Sequence, residues 1–587
     1  MIFAFIFAAF AALEYGIFFR GSEHYFQGDS IFYLYLRHRT VGDFLLGFFH
    51  LDPAGWYRPL AATAIQSLFY PFFGLEPRGY RIAQYVLFMA VVYVTYRLAL
   101  IVTHSRLAAT VATFFFGLHT VNAYTTYDVA FAPEIIYAFF YICSAATYLR
   151  YRESRNRLHL GLSLIFFAAT LASKEPGVTL PVGLIVLDFI LNHTSARESI
   201  AAARWHLLVL VIYGILVGGY LGVQRPAFQS ILNRQGSEIV YRYALDRTLF
   251  ENGHSAVSWA FNLPRGWITE YRHMQVPALR FLKYFRIAIV FLGLWLMFRP
   301  ERRFILAAGA WFVISVAPAL PLFNHFFPYY LFLPLAGFSI AIGVIFEAVY
   351  RKVSGYSPAA AAAVIAAPLL VLGSICATAA RNDARDNRTL GGSSALAFRT
   401  VADLKAGHPA LQPNTTVYFS DAAEPEIAWD TSQGKLLRMA YNDETIQALY
   451  WGWGEVITKG VLDRGPVIVL KYTPPHFTDV TKEFLADSEP AVSYLTPGPY
   501  RLAITPDAAK AGEKYRFAIS ALKNSDVTVH YTLNGNPVRA FKTHLDDQGQ
   551  ASFDVTEGTE KGVYKFVGFR KTGTEEWFQL AGSIRIE

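Results

Sequence analysis

The stretch that decides the fold is residues 20–60, RGSEHYFQGDSIFYLYLRHRTVGDFLLGFFHLDPAGWYRPL. The segment before it, Met1–Phe19, is apolar and long enough to cross a membrane. The chain then becomes polar and aromatic, carries one acid in a Gly-Asp-Ser context, Asp29, and reaches Trp56–Leu60. An apolar segment followed by an acid-bearing loop predicts a polar site at one face of a membrane.

The composition of the chain changes along its length. Residues 1–380 consist of apolar blocks of span length, whereas residues 381–587 resemble an ordinary soluble protein. The whole chain is 54% hydrophobic and only 16% charged, where a soluble protein would have about a quarter of its residues charged. The net charge of +8 does not indicate nucleic-acid binding, because short basic loops between membrane spans account for it. The two cysteines lie in apolar blocks, which excludes a disulfide framework and a cysteine zinc site.

The apolar blocks predict a polytopic α-helical membrane protein of about eleven spans. The predicted spans are Met1–Phe19, Tyr80–Ile101, Leu107–Val121, Ile135–Tyr151, Leu158–Leu171, Val178–Leu191, His206–Val223, Phe281–Phe298, Phe304–Leu320, Tyr330–Tyr350 and Pro358–Ala379. Met1–Phe19 has no basic start and no cleavage site, so we expect it to be retained. Arg58–Gly74 would be a twelfth span, but it would turn the arginine-rich loops outward, so we interpret it as an interfacial helix.

With this topology, four polar clusters lie on one outer face. They are Asp29 with Tyr57 and Arg58; His119 with Asp128 and Glu134; Lys174 with Glu175; and Asn324–Tyr330, which includes His325 and Tyr329. Ionisable groups near a membrane are costly and therefore are candidates for function. Structural interpretations stay open: an ion pair for Lys174 and Glu175, a snorkelling Arg58, a core histidine for His119.

Several motifs carry a resemblance to a known family. They are Tyr57–Leu60, Gly79–Arg81, His119–Glu134, Ala172–Thr179 and Leu331–Gly337. In order and spacing they resemble the GT-C class of polyprenyl-phosphate-sugar glycosyltransferases, in particular the transmembrane O-mannosyltransferases that carry TPR repeats and their bacterial relatives. The chain departs from that pattern at the single acid Asp29, at Ala132 in place of an arginine, and at Pro328-Tyr329 in place of Glu-Arg. No TPR array follows.

The resemblance implies transfer of a sugar, such as mannose or another hexose, from a polyprenyl phosphate to an acceptor hydroxyl with inversion. Asp29 would be the general base. Arg58 and Lys174 would bind the donor phosphate. The supporting or acceptor-binding residues would be Tyr57, His119, Glu134, Glu175, His325 and Tyr329.

The resemblance also bears on partners and location. The partners would be a polyprenyl-phosphate-linked sugar, membrane lipid and a protein, glycan or lipid acceptor, without nucleic acid. Some relatives use a divalent cation; here the few acids give no metal ligand set, and no cofactor is assigned. The location would be a bacterial inner membrane with the C-terminal part on the extracytoplasmic side.

The predicted domains are a GT-C-like transmembrane domain, 1–380, a small α/β domain, 381–495, and an immunoglobulin-like β-sandwich, 496–587. Alternating positions such as Tyr515-Phe517-Ile519 predict the strands of the last one. Two other functions remain open. A lipid-sugar flippase should show inverted repeats and midplane charges, which we do not find. An envelope anchor needs one span only.

Overall fold

The computed structural model shows a helical part and a strand-rich part. It describes residues 2–19, 25–51, 56–61, 64–192, 211–223, 243–263, 276–323, 325–386, 393–420, 427–450, 457, 459–486, 500–510, 512–520, 522–533, 539–556, 559–571 and 577–587. The chain divides into two compact units. Unit 1 contains residues 1–24 and 36–392, and unit 2 contains residues 25–35 and 393–587.

The regular elements of unit 1 are helices, apart from an isolated β-bridge between Tyr243 and Leu322 in its described residues. Its helices are α1 (Ile2–Glu14, continued by a π-helical turn Tyr15–Phe19), α3 (Val41–Leu46), α4 (Ala64–Phe73), α5 (Arg78–Thr103), α6 (Arg106–Gly117), α7 (Asn122–Tyr127), α8 (Ala132–Ser154), α9 (Arg157–Leu171), α10 (Leu180–Asn192), α11 (Val211–Val223), α12 (Thr248–Ala260), α13 (Val276–Leu296), α14 (Arg302–Val316), α15 (Phe332–Ser354) and α16 (Pro358–Asp386). The segment α2 (Gly28–Tyr35) belongs to unit 2.

Six helical segments of unit 1 are long and apolar enough to cross a membrane. They are Arg78–Thr103, Val129–Ser154, Glu175–Asn192, Arg302–Ala319, Pro328–Ser354 and Pro358–Ala380, and four shorter apolar helices accompany them among the described residues. The prediction of a polytopic helical membrane protein is confirmed; the number of spans stays a prediction. The α4 helix has 10 residues, so it is about 15 Å long and cannot cross a hydrocarbon core of about 30 Å alone. Its length favours the interfacial interpretation of Arg58–Gly74.

Local capping explains two of the helical hairpins. His104 ends α5 in the left-handed conformation, and the Ser105 side chain caps α6 by accepting from the Ala108 amide. Arg155 ends α8 in the same way, and Asn156 caps α9. Because only two residues separate the helices of each pair, each pair is antiparallel.

These reversals give the helices of unit 1 two distinct ends. At one end, hereafter the basic end, His104, Glu153, Asn192 and Arg303 line a common cavity. The cations at the basic end include Arg106, Arg150, Arg152, Arg155, Arg157, Arg299, Arg302, Arg303, Arg351 and Lys352. At the other end, hereafter the site end, α8, α10 and α15 begin and α9 ends.

Unit 1 is held together by an extensive aromatic and aliphatic core, which includes buried Phe88, Phe116, Tyr141 and Phe332. At one point, Gly343 brings α15 against the backbone of α6, since a Cβ there would meet the Ala108 carbonyl oxygen at 2.2 Å. Protein interiors are packed this closely, so such a position has no room for a side chain. The helices are therefore fixed against one another, and so are their ends.

Unit 2 begins with an α/β sheet. Its helices are α2, α17 (Ser393–Gly407), α18 (Ile427–Asp430), α19 (Lys435–Tyr441), α20 (Lys459–Arg464) and α21 (Thr481–Ala486), and the sheet consists of β1 (Thr416–Phe419), β2 (Gln447–Tyr450), β3 (Val467–Thr473) and β4 (His476–Asp479). The strand order is β2-β1-β3-β4, with β1 parallel to both neighbours and β4 antiparallel to β3. The central strand β1 is buried along its whole length, as expected for a parallel strand covered by helices.

Two further sheets complete unit 2. The strands are β5 (Leu502–Thr505), β6 (Ala508–Ala509), β7 (Lys514–Ile519), β8 (Ser525–Leu533), β9 (Arg539–Leu545), β10 (Gln550–Asp554), β11 (Gly562–Lys571) and β12 (Trp577–Ile586). Their orders are β10-β7-β5 and β6-β12-β11-β8-β9. The two sheets share one core, in which Phe517 of β7 lies 5.2 Å from Phe566 of β11 between ring centroids. A strand-rich C-terminal part is thus confirmed, whereas its immunoglobulin-like topology stays a prediction.

The segment Tyr25–Tyr35 packs within unit 2. Gly28 has φ of +40° and lies under Trp429, whose Nε1 would be 2.6 Å from an added Cβ. Tyr35 donates to the Glu444 carboxylate at 2.5 Å, and the Lys435 ammonium lies 5.4 Å from the Phe32 ring centroid. The sequence analysis placed these residues in the 1–380 domain. The division into three domains stays a prediction.

Candidate functional site

A short turn at the site end of unit 1 positions the central residues of the candidate site. The α9 helix ends at Leu171, and a 3₁₀ helix begins at Glu175. The amide of Lys174 donates to the Thr170 carbonyl at 3.1 Å, while Lys174 itself is extended, with φ of −161°. Because the backbone changes from extended to helical here, the side chains of Lys174 and Glu175 leave the turn in different directions.

Arg58 forms a bidentate ion pair with Glu175. Its Nε lies 2.7 Å from Oε1 and its second guanidinium nitrogen 2.8 Å from Oε2. The backbone supports this pair, because the Leu60 amide donates to the Ala172 carbonyl at 3.0 Å. A parallel pair of charge-assisted bonds fixes the plane of the guanidinium. Arg58 is therefore anchored in the site and is not a freely snorkelling side chain.

Lys174 pairs with Glu134, which lies in the first turn of α8. Only 9% of the lysine side chain and 7% of the glutamate side chain are exposed. The start of a helix favours a carboxylate because the amides there are partly positive. Burial lowers the pKa of Lys174, the nearby Arg58 adds to this effect and Glu175 opposes it. Lys174 thus depends on its carboxylate partner to stay charged.

Two tyrosine rings cover the Lys174 ammonium. Its Nζ lies 5.5 Å from the Tyr329 ring centroid and 5.2 Å from that of Tyr330. Aromatic faces attract a cation most strongly where water is excluded. The polar cluster Asn324–Tyr330 predicted from the sequence includes both tyrosines, but only Tyr329 was named as a candidate site residue.

His325 joins the same cluster through Tyr329, with 3.2 Å between the tyrosine hydroxyl oxygen and Nε2. Burial, reinforced by the Lys174 charge, lowers the pKa of His325 to about 4. The imidazole is therefore neutral at neutral pH and can accept a hydrogen bond from the tyrosine hydroxyl. Asn324, which the sequence analysis placed in this cluster, lies outside the described residues.

The cluster formed by Arg58, Lys174, Glu134 and Glu175, hereafter the ion-pair cluster, has two cations and two carboxylates. Taking four charges out of water is costly, and packed apolar side chains would often be as stable. Such a cluster at the ends of apolar helices is thus poorly explained by stability alone. Chemically, it can offer a guanidinium fork and an ammonium to an anionic group that competes with the carboxylates.

Two predicted residues have mainly backbone partners. Tyr57 donates its hydroxyl to the Phe48 carbonyl at 3.0 Å. His119 is fully buried, with Nε2 3.2 Å from the Ala260 carbonyl oxygen and Nδ1 accepting from the Val121 amide at 3.2 Å. Both ring nitrogens of His119 are used within the protein, which fits the core-histidine interpretation. The structure does not bring His119 into the ion-pair cluster.

Asp29 lies in unit 2, in the first turn of α2, and its side chain is exposed. The turn before it is closed by Gln27 and Ser30, since the Gln27 amide donates to the Ser30 hydroxyl at 2.8 Å and the Ser30 amide to the Gln27 carbonyl at 2.8 Å. A carboxylate open to solvent can accept a proton from an incoming hydroxyl.

A divalent cation does not fit the ion-pair cluster as it stands. Both of its carboxylates already contact a cation, Glu134 with Lys174 and Glu175 with Arg58. Within the described part of the chain, no three or more histidine, cysteine, aspartate or glutamate side chains come together as metal ligands. Hard divalent cations need several oxygen ligands.

A third ion pair, at the basic end, was not predicted from the sequence. Arg152 Nε lies 2.8 Å from Asp188 Oδ1, with 6% and 0% of the side chains exposed. Asn192 donates to the same carboxylate oxygen at 2.7 Å. An aspartate inside the otherwise apolar α10 was the signal that could have revealed it.

Comparison with known proteins gives matches in structure only. No family model matches the chain. No curated protein sequence matches it either. The chain is similar to ArnT from Cupriavidus metallidurans in the apo state, with 13% identity over 82% of this chain and 94% of that chain, and a TM-score of 0.47. ArnT bound to undecaprenyl phosphate gives 14% identity, the same coverage of 82% and 94%, and a TM-score of 0.43.

A third similar structure is the archaeal oligosaccharyltransferase AglB from Archaeoglobus fulgidus in complex with an inhibitory peptide and a dolichol-phosphate. It shares 9% identity over 99% of this chain and 98% of that chain, with a TM-score of 0.44. Because these TM-scores are all below 0.5, the function is inferred below from the residues of the chain itself.

Proposed function

We propose that the protein is a membrane glycosyltransferase that moves a sugar from a polyprenyl-phosphate donor to an acceptor hydroxyl at the extracytoplasmic face. The observation that carries this proposal is the ion-pair cluster at the ends of apolar helices, in which Arg58 and Lys174 each pair with a carboxylate and Lys174 also lies beside two tyrosine rings. A phosphate on a long apolar tail needs cations next to a membrane-facing surface. The motifs that resemble GT-C transferases include both cations.

The proposed side of the membrane follows from the charges at the two ends of unit 1. Short loops with many lysines and arginines stay in the cytoplasm. The basic end would therefore face the cytoplasm and the site end the outside. Because α16 begins near the basic end and runs the length of a span, the residues after it would also be extracytoplasmic. A bacterial inner membrane is the location that the sequence resemblance implies.

The proposed role of the two cations is to bind and neutralise the donor phosphate. Arg58 would bind two phosphate oxygens with its fork, and Lys174 would act as a point charge. Both cations already pair with carboxylates, so the phosphate must displace at least one carboxylate. When the bond between the anomeric carbon and the phosphate oxygen breaks, negative charge grows on the phosphate. Cations held in place before the reaction stabilise that charge effectively.

Asp29 is the proposed general base. It would take the proton of the acceptor hydroxyl while the acceptor oxygen forms a bond to the anomeric carbon and polyprenyl phosphate leaves, which inverts the configuration. The proposal rests on the motif resemblance and on an exposed carboxylate that is able to accept a proton. The acceptor would be a hydroxyl of a protein, a glycan or a lipid, and mannose or another hexose would be the sugar.

The remaining predicted residues would act by positioning. Glu175 holds the Arg58 fork, Glu134 holds Lys174, and Tyr329 with His325 forms the wall over the ammonium. Tyr57 and His119 would keep the neighbouring backbone in place through their carbonyl and amide partners. None of these six residues needs to exchange a proton with the substrate in this scheme.

A lipid-sugar flippase is the main alternative function, and the distribution of charge argues against it. Transporters place their polar sites near the bilayer midplane, often at broken helices. Here the paired charges lie at the helix ends, Glu134 in the first turn of α8 and Arg152 in the last turn. An envelope anchor would need neither pair.

The testing experiment measures release of polyprenyl phosphate from a panel of polyprenyl-phosphate sugars by the purified protein in nanodiscs, with envelope extract as the acceptor source. We expect release by the wild type and a loss of at least about 100-fold with Asp29→Asn, because a positioned base contributes at least that much. The control is Asp43→Asn, whose carboxylate caps α3 at an exposed position. Undiminished release by Asp29→Asn would overturn the assignment of the base. If no donor releases polyprenyl phosphate, the proposal that the protein is a transferase is wrong.

A further inference from the structure

An open cavity of about 730 Å³ lies at the basic end of unit 1, between the end of α10, the start of α14 and the last turns of α15. Its lining combines two kinds of side chain. Arg302, Arg303 and Arg351 supply positive charge, while Phe189, Leu306 and Val344 supply apolar surface. The cavity is remote in sequence and helix position from the ion-pair cluster, and no step of the proposed transfer uses it.

The charges that face the cavity do not cancel completely. Glu347 and Glu301 line it together with the arginines. Arg351 already pairs with Glu347, at 2.5 Å between the guanidinium nitrogen and Oε1. Within the described residues neither Arg302 nor Arg303 forms an ion pair, and both side chains are exposed. Two cations therefore face a single remaining carboxylate, that of Glu301.

The apolar part of the lining is exposed next to these cations. Phe189 is 51% exposed and Leu306 is 44% exposed, and both belong to segments apolar enough to span a membrane. An exposed apolar side chain on a membrane-spanning helix faces the lipid chains. The cavity thus offers guanidinium groups at the level of lipid headgroups and an apolar wall directly beside them.

We propose that this cavity binds the phosphate headgroup of an anionic phospholipid from the bilayer leaflet at the basic end. Arg302 and Arg303 bind the phosphate oxygens, and the first methylene groups of the acyl chains lie along Phe189 and Leu306. Basic pockets between spanning helices recognise anionic lipids through this combination of charge and apolar contact. The proposal needs only the membrane location of unit 1, so it can fail or stand independently of the transferase.

The test compares lipid retention by native mass spectrometry after the detergent-purified, delipidated protein is given equal amounts of phosphatidylglycerol or phosphatidylcholine. We expect the wild type to retain phosphatidylglycerol at least about tenfold more strongly, and Arg302→Gln/Arg303→Gln to lose about tenfold or more of that retention, because each basic residue contributes about fivefold. The matched control is Arg155→Gln/Arg157→Gln, which removes two exposed arginines of the same end that do not line the cavity. It should change retention by less than about twofold.

Three results would overturn the proposal. One is equal retention of the two lipids by the wild type, which needs no variant and so holds even if a variant folds poorly. Another is an equal loss in the two double variants, which would mean nonspecific attraction to surface charge. The third is displacement of phosphatidylglycerol by inorganic phosphate at equal concentration, which would identify a site for free phosphate. Arg302→Lys/Arg303→Lys keeps the charges and should retain most of the binding.

Discussion

The two ends of the helices in unit 1 each hold an arginine–carboxylate pair, but in different surroundings. The pair at the basic end is buried, and the pair at the site end has 12% and 18% of its side chains exposed. At the site end, Arg58 and Glu175 adjoin a second pair and two tyrosine rings. At the basic end, Arg152 and Asp188 connect α8 with α10, and Asn192 completes the carboxylate's partners. The Arg58–Glu175 pair thus belongs to a cluster whose cations can bind an anion. The Arg152–Asp188 pair joins two helices. The contrast teaches that burial of a charge alone does not identify a functional site.

The largest expected effect is the loss of turnover caused by a substitution at the site end. Arg58→Ala removes the guanidinium fork and should lower release of polyprenyl phosphate by about 100- to 1000-fold, which is the usual effect of losing one donor to a developing negative charge. Arg58→Lys keeps the charge without the fork and should recover part of this loss. The assay described above measures both. Normal turnover by folded Arg58→Ala would remove the distinction between the two ends.

At the basic end we expect an effect on stability and not on chemistry. Arg152→Ala leaves Asp188 buried without its cation and should lower the free energy of unfolding by about 3–5 kcal/mol. The double replacement Arg152→Met/Asp188→Leu should restore most of it, because apolar side chains can replace a buried pair. Denaturant unfolding in detergent measures the stability, and turnover per folded molecule should stay within about twofold of wild type. A much larger loss of turnover would show that this pair also serves the reaction.

All four members of the ion-pair cluster are candidates that the sequence analysis named, but their pairing was not predicted. Arg58, Lys174, Glu134 and Glu175 were all chosen because ionisable groups beside apolar blocks are costly. The adjacent Lys174 and Glu175 were open to interpretation as a pair with each other. In the structure each pairs with a residue far along the chain, because Lys174 is extended and Glu175 begins a 3₁₀ helix. Side-chain direction at such a turn depends on backbone angles that a residue pattern does not reveal.

The placement of residues 25–35 could not be predicted for a related reason. Their contacts, such as Tyr35 with Glu444, join positions 409 residues apart. Local patterns showed only an acid-bearing polar stretch after an apolar segment. The helical membrane part and the strand-rich C-terminal part, in contrast, follow from the distribution of apolar residues, and the structure confirms both. Asp29 stays a prediction as the general base.

A smaller effect should sharpen the role of the carboxylates at the site end. Glu175→Gln leaves Arg58 charged and removes the group that competes for its fork, so undecaprenyl phosphate should bind about tenfold more tightly, equivalent to about 1.4 kcal/mol. The control at the basic end is Glu153→Gln, which breaks an exposed pair with Arg150. It should leave binding unchanged. Equilibrium binding in nanodiscs measures both, and weaker binding by Glu175→Gln would mean that Arg58 needs the Glu175 carboxylate even while it binds the phosphate.

The smallest expected effect concerns pH and again separates the two ends. Burial and the Lys174 charge hold the pKa of His325 at about 4, below its ordinary value of 6.5. Between these values the unfolded chain binds a proton that the folded chain does not, so His325 lowers stability as the pH falls from 6.5 towards 4. His325→Gln should reduce this decline, measured as the thermal midpoint at pH 7 and pH 5. His159→Gln at the basic end, where the imidazole contacts Ser154 at an exposed position, should leave the decline as it is in the wild type. Because His325 is already neutral above pH 6.5, its replacement should not shift the pH dependence of turnover in that range. A shift there would show that the imidazole takes part in the reaction.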